Sequence, residues 1–128
     1  MDYLIKQGIK VDAIITDPPY AVTSYSWDQI IPFDQMWDKL SKLIKDDGAI
    51  VLFGNEPFSS SLRMSNPKFY RYDWKWIKTQ VTGFQNAKYQ PLRCYEDIMI
   101  FSKCGAVASA KPPMRYFPQG IIPVNLKV

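Results

Sequence analysis

With 128 residues, of which 47% are hydrophobic and 15% aromatic, the chain is long enough to form one domain with a hydrophobic core. The absence of histidine excludes a Ser-His-Asp triad and a Cys-His nucleophile, and no cysteines have the spacing of a zinc site, so we expect no metal. No apolar run approaches the length of a membrane span. Two cysteines, Cys94 and Cys104, favour a reduced, cytoplasmic protein, although a single disulfide between them is also compatible with the sequence.

The net charge of +4 is unevenly distributed along the chain. Residues 1–56 carry five basic and nine acidic side chains, whereas residues 57–128 carry eleven basic and three acidic ones. A basic segment with interleaved aromatic residues suits contact with phosphates and stacking on bases. An ordinary solvated surface explains the same charges equally well.

In the first half of the chain, apolar patterns predict two strands and two helices. A short helical or irregular lead-in, 1–9, precedes a nearly continuous apolar run at 11–16, which predicts a strand covered on both faces. A polar loop, 21–31, leads to a helix that opens at Pro32 and is stopped by Gly48. The run 49–53 predicts a second buried strand, with Asn55 as a cap and Pro57 just inside the next helix, which ends at Asn66.

The second half of the chain predicts two more strands and an irregular tail. Residues 69–78 are aromatic and extended, residues 80–93 are polar and loop-like, and residues 97–102 predict a strand antiparallel to its neighbour. The tail, 104–128, is irregular and rich in proline. We therefore predict one α/β domain, 1–128, with a partial, doubly wound Rossmann-like sheet of about four strands. Two are parallel and two form a hairpin-like pair, with helices packed on the sheet.

The tetrapeptide Asp17-Pro18-Pro19-Tyr20 directly follows the first predicted strand. Open α/β sheets bind ligands at the carboxyl ends of their strands, and the two prolines stiffen the backbone between the carboxylate and the phenol ring. A carboxylate and an aromatic plane held together in this way suit a flat, hydrogen-bonding substrate such as a nucleobase. The alternative is a Pro-Pro turn in which Asp17 caps the local backbone and Tyr20 packs.

Together with segments farther along, the tetrapeptide resembles the DNA amino-methyltransferases, which modify adenine N6 or cytosine N4. It is most similar to the phage-type adenine enzymes, in which the tetrapeptide precedes the cofactor-binding half. The resemblance covers nearly the whole chain and includes Trp27-Asp28, 48–54, Pro57-Phe58, Ser65-Asn66, 74–76, 86–88 and Glu96.

The resemblance implies a mechanism for the tetrapeptide. Asp17 and the backbone carbonyl of Pro18 accept hydrogen bonds from the exocyclic amine, which frees the nitrogen lone pair to attack the methyl of S-adenosylmethionine (SAM). Tyr20 stacks on the flipped base and recovers part of the few kcal/mol that unstacking costs. Within the tetrapeptide, Asp17 and Pro18 also form the rim of the cofactor site. Trp27 and Asp28 could line the opening of the substrate site, but Trp27 could equally well be a core residue.

The sequence departs from the family pattern in two places. Tyr95 stands before Glu96, where the family usually has histidine. All six glycines are isolated, so the Phe-x-Gly-x-Gly loop that holds the cofactor in the family is missing. The chain therefore resembles an enzyme truncated before its cofactor half, so we expect weak or absent SAM binding and little activity alone. The uncovered edge of the 11–16 strand predicts self-association or a complementary subunit.

For DNA contact, we predict Lys78, Asn86, Lys88 and Arg93, on and beside the polar loop between the last two strands; ordinary surface positions are equally compatible with them. Three functions of different kinds stay open. The chain could be a split DNA adenine methyltransferase, a non-catalytic remnant that binds nucleic acid, or an interaction protein in which the tetrapeptide is an inherited turn. A methyltransferase that acts on protein glutamine or RNA is a weaker fourth possibility.

Overall fold

Four strands form a single mixed sheet in the structure, a computed structural model that describes residues 1–20, 25–26 and 29–124. The elements in chain order are α1 (Asp2–Lys6), β1 (Val11–Thr16), α2 (Phe33–Leu43), β2 (Ile44–Gly54), α3 (Phe58–Ser65), β3 (Tyr70–Thr82), a 3-10 turn (Phe84–Asn86) and β4 (Arg93–Phe101). The strand order is β1-β2-β4-β3. β1 and β2 are parallel, whereas β4 is antiparallel to both β2 and β3. The predicted partial α/β sheet, with one parallel pair and one hairpin pair, is confirmed.

The core lies between the sheet and two helices on the same face. Met36, Trp37 and Leu40 of α2 and Phe58 and Leu62 of α3 belong to one buried cluster, which they share with alternate residues of β2 and β4: Ile50, Leu52, Met99 and Phe101. The predicted apolar stripe of α2 is therefore core. The doubly wound arrangement is wrong for the described part of the chain, because both of these helices cover one face. No helix in that part is long and apolar enough to cross a membrane.

The boundary between α2 and β2 differs from the prediction. The helix ends at Leu43 rather than near Gly48, and Ile44 already has extended backbone angles. Ile44 is fully buried and pairs with Val11, so packing against β1 outweighs the helical pattern of the sequence. A side chain at Gly48 would lie 2.7 Å from the carbonyl oxygen of Asp12. Gly48 therefore permits a close approach to β1 and does not end the helix.

β1 is an edge strand in the described part of the chain and is not covered on both faces as its apolar sequence predicts. Ile14 packs against the core, but Ile15 is 69% exposed, and Ala13 and Thr16 are exposed as well. An exposed apolar edge provides unpaired backbone groups and side chains that another chain can cover. The uncovered edge that the sequence predicts at 11–16 is present.

β3 and β4 extend farther than their sequence predicts and form a long hairpin. The pairing continues through Trp76–Glu96 and Ile77–Tyr95 to Thr82–Arg93, beyond the point where β2 ends. Gly83 follows β3 with a φ of +84°, a left-handed conformation that favours glycine at the start of this turn. The hairpin therefore projects past the sheet at the edge where β1 and β2 end.

The predicted tail contains no helix or strand through residue 124, but it is fastened to the sheet. The backbone of Met114 donates a hydrogen bond to the carbonyl of Gly105 at 3.0 Å, and Met114 itself is buried. Arg115 binds the carboxylates of Asp47 at 2.6 Å and Asp12 at 2.8 Å. The segment after β4 therefore crosses back to the strand starts of β1 and β2.

The contrast between two residues of α3 tests this packing. Leu62 is completely buried, whereas Met64 is 74% exposed. We expect Leu62→Ala to lower the free energy of unfolding by about 2–5 kcal/mol, because it removes buried methyl groups and leaves a cavity. Met64→Ala, with nearly the same helix propensity, changes it by less than about 0.5 kcal/mol. Urea denaturation followed by circular dichroism measures both, and equal losses would contradict the described core.

Candidate functional site

The topology places the ends of all four strands at one edge of the sheet. Because β1 and β2 are parallel, Asp17 and Asn55 follow them at the same edge. β4 runs in the opposite direction, so Glu96 lies near its start and beside Gly54 and Asn55. We call this set, Asp17–Tyr20 with Asn55 and Glu96, the tetrapeptide edge. It is the position at which α/β sheets commonly bind ligands.

The tetrapeptide presents its carboxylate outward and holds its aromatic ring against the core. Asp17 is exposed, Pro18 is buried, and Pro19 and Tyr20 are partly buried. The Tyr20 hydroxyl donates a hydrogen bond to Oδ1 of Asp17. The Tyr20 ring packs against Phe58 with 5.0 Å between ring centroids and an angle of 32° between planes. The structure therefore brings the carboxylate and the phenol together, as the sequence predicts, and fixes them to one another.

The Tyr20 hydroxyl remains protonated at neutral pH. Burial raises the pKa of Tyr20 well above its ordinary value, and the hydrogen bond and charge of Asp17 raise it further. The negative charge of Glu96 contributes in the same direction. Tyr20 therefore acts as a hydrogen-bond donor at this edge and does not serve as a base.

Two hydrogen-bond donors approach Glu96, one from β3 and one from the residue that follows β2. Nζ of Lys78 and, at 3.4 Å, Nδ2 of Asn55 both approach Oε1 of Glu96. The same Lys78 nitrogen lies 5.2 Å from the centroid of the Trp76 ring. The sequence predicts Asn55 as the cap of α3, and this prediction is wrong. Pro57 occupies the N-cap position, and no side-chain cap bond forms. The amide faces the tetrapeptide edge instead.

The four residues predicted for DNA contact lie on the projecting hairpin but differ in availability. Lys78 is partly buried and paired with Glu96. Asn86 and Lys88 are exposed on the connecting loop. Arg93 is exposed and lines a hollow of about 120 Å³ next to Asn55, and its Nη2 lies 3.4 Å from the carbonyl oxygen of Glu56. The contribution of all four to DNA contact stays a prediction.

Two residues that the sequence suggests for the substrate mouth, Trp27 and Asp28, lie outside the described residues. Cys94 and Cys104 are both free. In the described ranges, no group of three or more potential metal ligands converges.

A buried ion cluster supports the tetrapeptide edge from the helix side. The Asp97 side chain is only 3% exposed and contacts Nζ of Lys75 and, at 3.2 Å, Nη2 of Arg63. Asp73 binds the same Arg63 nitrogen at 3.0 Å and Lys75 at 2.7 Å. Burial alone would raise the pKa of Asp97, but the hydrogen bond from Lys75 and the charge of Arg63 lower it below its ordinary value. The cluster joins α3 to β3 and β4 directly beneath the edge.

The described residues lack the glycine-rich loop that the resemblance assigns to the SAM cofactor, because every glycine of the chain is isolated in sequence. Gly54, at the end of β2, has no free space beside its α-carbon, because a side chain there would lie 2.8 Å from Cε of Met99 and 2.9 Å from Oγ of Ser59. This glycine therefore serves close packing between β2, β4 and α3. Asp17 and Pro18 are therefore the only part of the cofactor site that the resemblance assigns to described residues, and that assignment stays a prediction.

The fold is similar to that of several solved structures. M1.HpyAVI is matched both free, with a TM-score of 0.59, and in complex with SAM, with a TM-score of 0.58, each at 21% identity over 80% of this chain and 50% of that chain. The cytosine-N4-specific PvuII DNA methyltransferase matches with a TM-score of 0.50 and 15% identity over 78% of this chain and 45% of that chain. This chain has a partial methyltransferase-like fold. It spans about half the length of the structures it matches.

The sequence comparisons gave no further assignment. No protein-family model matches the chain, and no curated protein matches it in sequence. The similarity therefore establishes the fold, and the substrate and cofactor have to be argued from the site.

Sequence reasoning did not assign Asn55 and Glu96 to the site, although both lie at the tetrapeptide edge. The signal for Asn55 was available, because it follows the second parallel strand as Asp17 follows the first. Glu96 belongs to an antiparallel strand, so its place depends on the β2–β4 register, which no local pattern specifies.

Removing the Asp97 carboxylate tests the ion cluster. At pH 7, Asp97→Asn should lower the free energy of unfolding by about 3 kcal/mol, because it leaves Arg63 and Lys75 with a buried neutral partner. The matched change Asp38→Asn removes an exposed pair with Lys42 and should cost less than about 1 kcal/mol. Urea denaturation measures both variants, and equal effects would contradict the buried cluster.

The same comparison has a defined pH dependence. Because the folded-state pKa of Asp97 lies below its ordinary value of 3.8, the stabilisation is complete above pH 3.8. It is lost as the pH falls through the lower, folded-state pKa. The difference between the wild type and Asp97→Asn should therefore shrink only in strong acid. A difference that disappears between pH 7 and pH 5 would point to another group.

Proposed function

We propose that the chain is the catalytic-motif half of a DNA amino-methyltransferase that transfers a methyl group to N6 of a flipped adenine. The observation that carries the proposal is the exposed Asp17 carboxylate at the end of β1, held beside Tyr20 on a stiff proline backbone. Methyltransferase-like structures at this fold level support the same reaction class.

The chain's own residues would bind and polarise the amine of the base. Oδ1 of Asp17 accepts the Tyr20 hydroxyl, which leaves Oδ2 for an incoming N–H. The Pro18 carbonyl accepts the second N–H of the amine. Two acceptors on one amine draw its nitrogen away from conjugation with the ring and localise the lone pair. Holding that nitrogen in the geometry of attack lowers the barrier further.

The methyl donor in this proposal is SAM, and most of its binding residues would come from outside the described residues. M1.HpyAVI, of which this chain spans half, was solved in complex with SAM. Since the chain has no glycine-rich loop to hold the cofactor, the chain alone should bind SAM weakly or not at all. We place the reaction in the cytoplasm, in keeping with two free cysteines.

The partner that completes the site would cover the open edge of β1. Along this strand Ile15 is 69% exposed, on the face opposite to Ile14 and the core, and Ala13 and Thr16 are exposed as well. A second copy of the chain or a complementary methyltransferase half could extend the sheet through this edge. Either arrangement leaves the tetrapeptide, at the end of the same strand, next to the added strands.

One observation favours the alternative, a non-catalytic remnant that binds nucleic acid. The hydrogen bond from Tyr20 already engages the Asp17 carboxylate, which leaves it a weaker acceptor for the amine. A remnant would keep DNA affinity through exposed basic residues such as Lys88 and lose methyl transfer. Its affinity would fall steeply with salt, because phosphate contacts release counterions.

Methyl transfer to DNA tests the proposal directly. The chain is mixed with a candidate complementary half, and incorporation of labelled methyl from SAM is measured. Asp17→Ala and Asp17→Asn should each reduce the rate by about 100-fold or more, because the amine loses a preorganised charged acceptor. Asp34→Ala, an exposed carboxylate at the start of α2, is the matched control and should leave the rate unchanged.

The outcomes separate the candidates. Transfer that survives Asp17→Ala refutes the catalytic assignment. Tight SAM binding by the isolated chain in calorimetry contradicts the incomplete cofactor site. Salt-sensitive DNA binding without methyl transfer under any pairing identifies the chain as a remnant.

Self-association tests the role of the β1 edge. We expect the wild type to form dimers or larger species at micromolar concentration in sedimentation. Ile15→Lys should shift the population toward monomer, because a charge at an exposed edge opposes strand pairing. The control Met64→Lys places the same charge on an exposed helical position and should have no effect. A strictly monomeric wild type with no affinity for a complementary half would contradict the proposed partner.

A further inference from the structure

A cavity of about 500 Å³ lies on the opposite side of β3 from the helices, away from the tetrapeptide edge. Asp73 and Lys75 reach the ion cluster on the helix side, so Tyr72 and Trp74, which alternate with them along the strand, point to the other face. The segment after β4 forms the facing wall through Val107, Met114 and Tyr116. The volume lies within the range of about 300–1,000 Å³ that is typical of small-molecule sites.

Hydrogen bonds and ion pairs hold the segment after β4, which forms one wall of the cavity, in place. The Arg71 guanidinium donates to the carbonyl oxygens of Cys104 at 2.6 Å and Lys103 at 3.3 Å, where the segment leaves β4. Met114 is fixed by its bond to Gly105, and Arg115 by its bonds to Asp47 and Asp12 described above. The cavity is therefore built by the fold and does not depend on a ligand to form.

Aromatic rings dominate the lining. The rings of Tyr72 and Trp74 lie 6.0 Å apart at an angle of 48°, and Trp74 is 53% exposed toward the opening. Tyr116 is close enough to add to the raised pKa of Tyr72, whose largest cause is burial. The hydroxyl of Tyr72 is therefore protonated at neutral pH. Apart from these two phenol groups and the indole N–H of Trp74, the lining side chains are apolar.

We propose that this cavity binds an uncharged, planar heteroaromatic molecule of purine nucleoside size. Three ring systems provide surfaces on which a flat ligand stacks, and stacking of a base on an aromatic side chain is worth about 1–3 kcal/mol. The phenol hydroxyls of Tyr72 and Tyr116 provide hydrogen bonds to ring nitrogens or exocyclic groups. This site is separate from the tetrapeptide edge and does not depend on methyl transfer.

Charge in and around the cavity favours a neutral ligand. No lining side chain is charged. Three nearby cations are already engaged, because Arg71 is bound to backbone carbonyls, Arg115 to two carboxylates, and Lys103 to Asp46 at 2.9 Å. A phosphate group would therefore gain no partner from these side chains.

Calorimetric titration of the full chain with adenosine tests the proposal. We expect saturable binding that Trp74→Ala weakens by about tenfold or more, because a stacking surface is lost. Trp76→Ala is the matched control, since Trp76 lies on the same strand with a similar exposure of 49% but outside the cavity lining. It should change the affinity by less than about twofold, as no contact with the ligand is removed.

A second variant keeps the test valid if Trp74→Ala fails to fold. Val107→Trp adds bulk at an exposed position of the wall and should block binding while circular dichroism and thermal unfolding stay unchanged. Adenosine monophosphate should bind no more tightly than adenosine. Absence of adenosine binding, a larger loss in Trp76→Ala than in Trp74→Ala, or much tighter binding of the monophosphate would each overturn the proposal.

Discussion

The register between β2 and β4 determines what stands at the functional edge. Gly54 pairs with Asp97. Because Gly54 has no side chain, the side chains of Met99 and Ser59 pack directly against its α-carbon. Because side chains alternate along a strand, Asp97 turns toward the helices while Glu96 turns to the other face. One pairing thus anchors the buried ion cluster and places a second carboxylate beside the tetrapeptide. A shift by one residue would exchange the two acids and destroy both arrangements.

Much of the fold could be predicted because its central elements have strong local patterns. The apolar runs in β1 and β2 and the stripe through Met36 and Leu40 of α2 are confirmed. The ends of elements could not be predicted where a distant partner decides them. Ile44 joins a helical pattern in sequence but becomes extended because it pairs with Val11. The long hairpin of β3 and β4 contains many polar and aromatic residues, and its stability comes from pairing between strands.

The site was predictable in its centre and not in its surroundings. Asp17 and Tyr20 could be placed because a carboxylate and a ring follow an apolar strand directly. The partners of Glu96 could not be found, since Lys78 and Asn55 lie 18 and 41 positions away and meet it only in the folded sheet. The partner of Lys78 could not be predicted for the same reason. A lysine beside a polar loop suggests phosphate contact, but no local pattern reveals its pairing with Glu96.

The charge asymmetry of the sequence acquires a different meaning from these pairings. The acidic first half and the basic second half bind one another through Arg115 with Asp12 and Asp47, Lys103 with Asp46, and Arg63 with Glu56. Three basic residues of the second half therefore form ion pairs that join distant parts of the chain. Dissolved ions weaken exposed pairs of this kind. Raising the ionic strength should consequently weaken both the attachment of the Arg115 segment and any association with DNA.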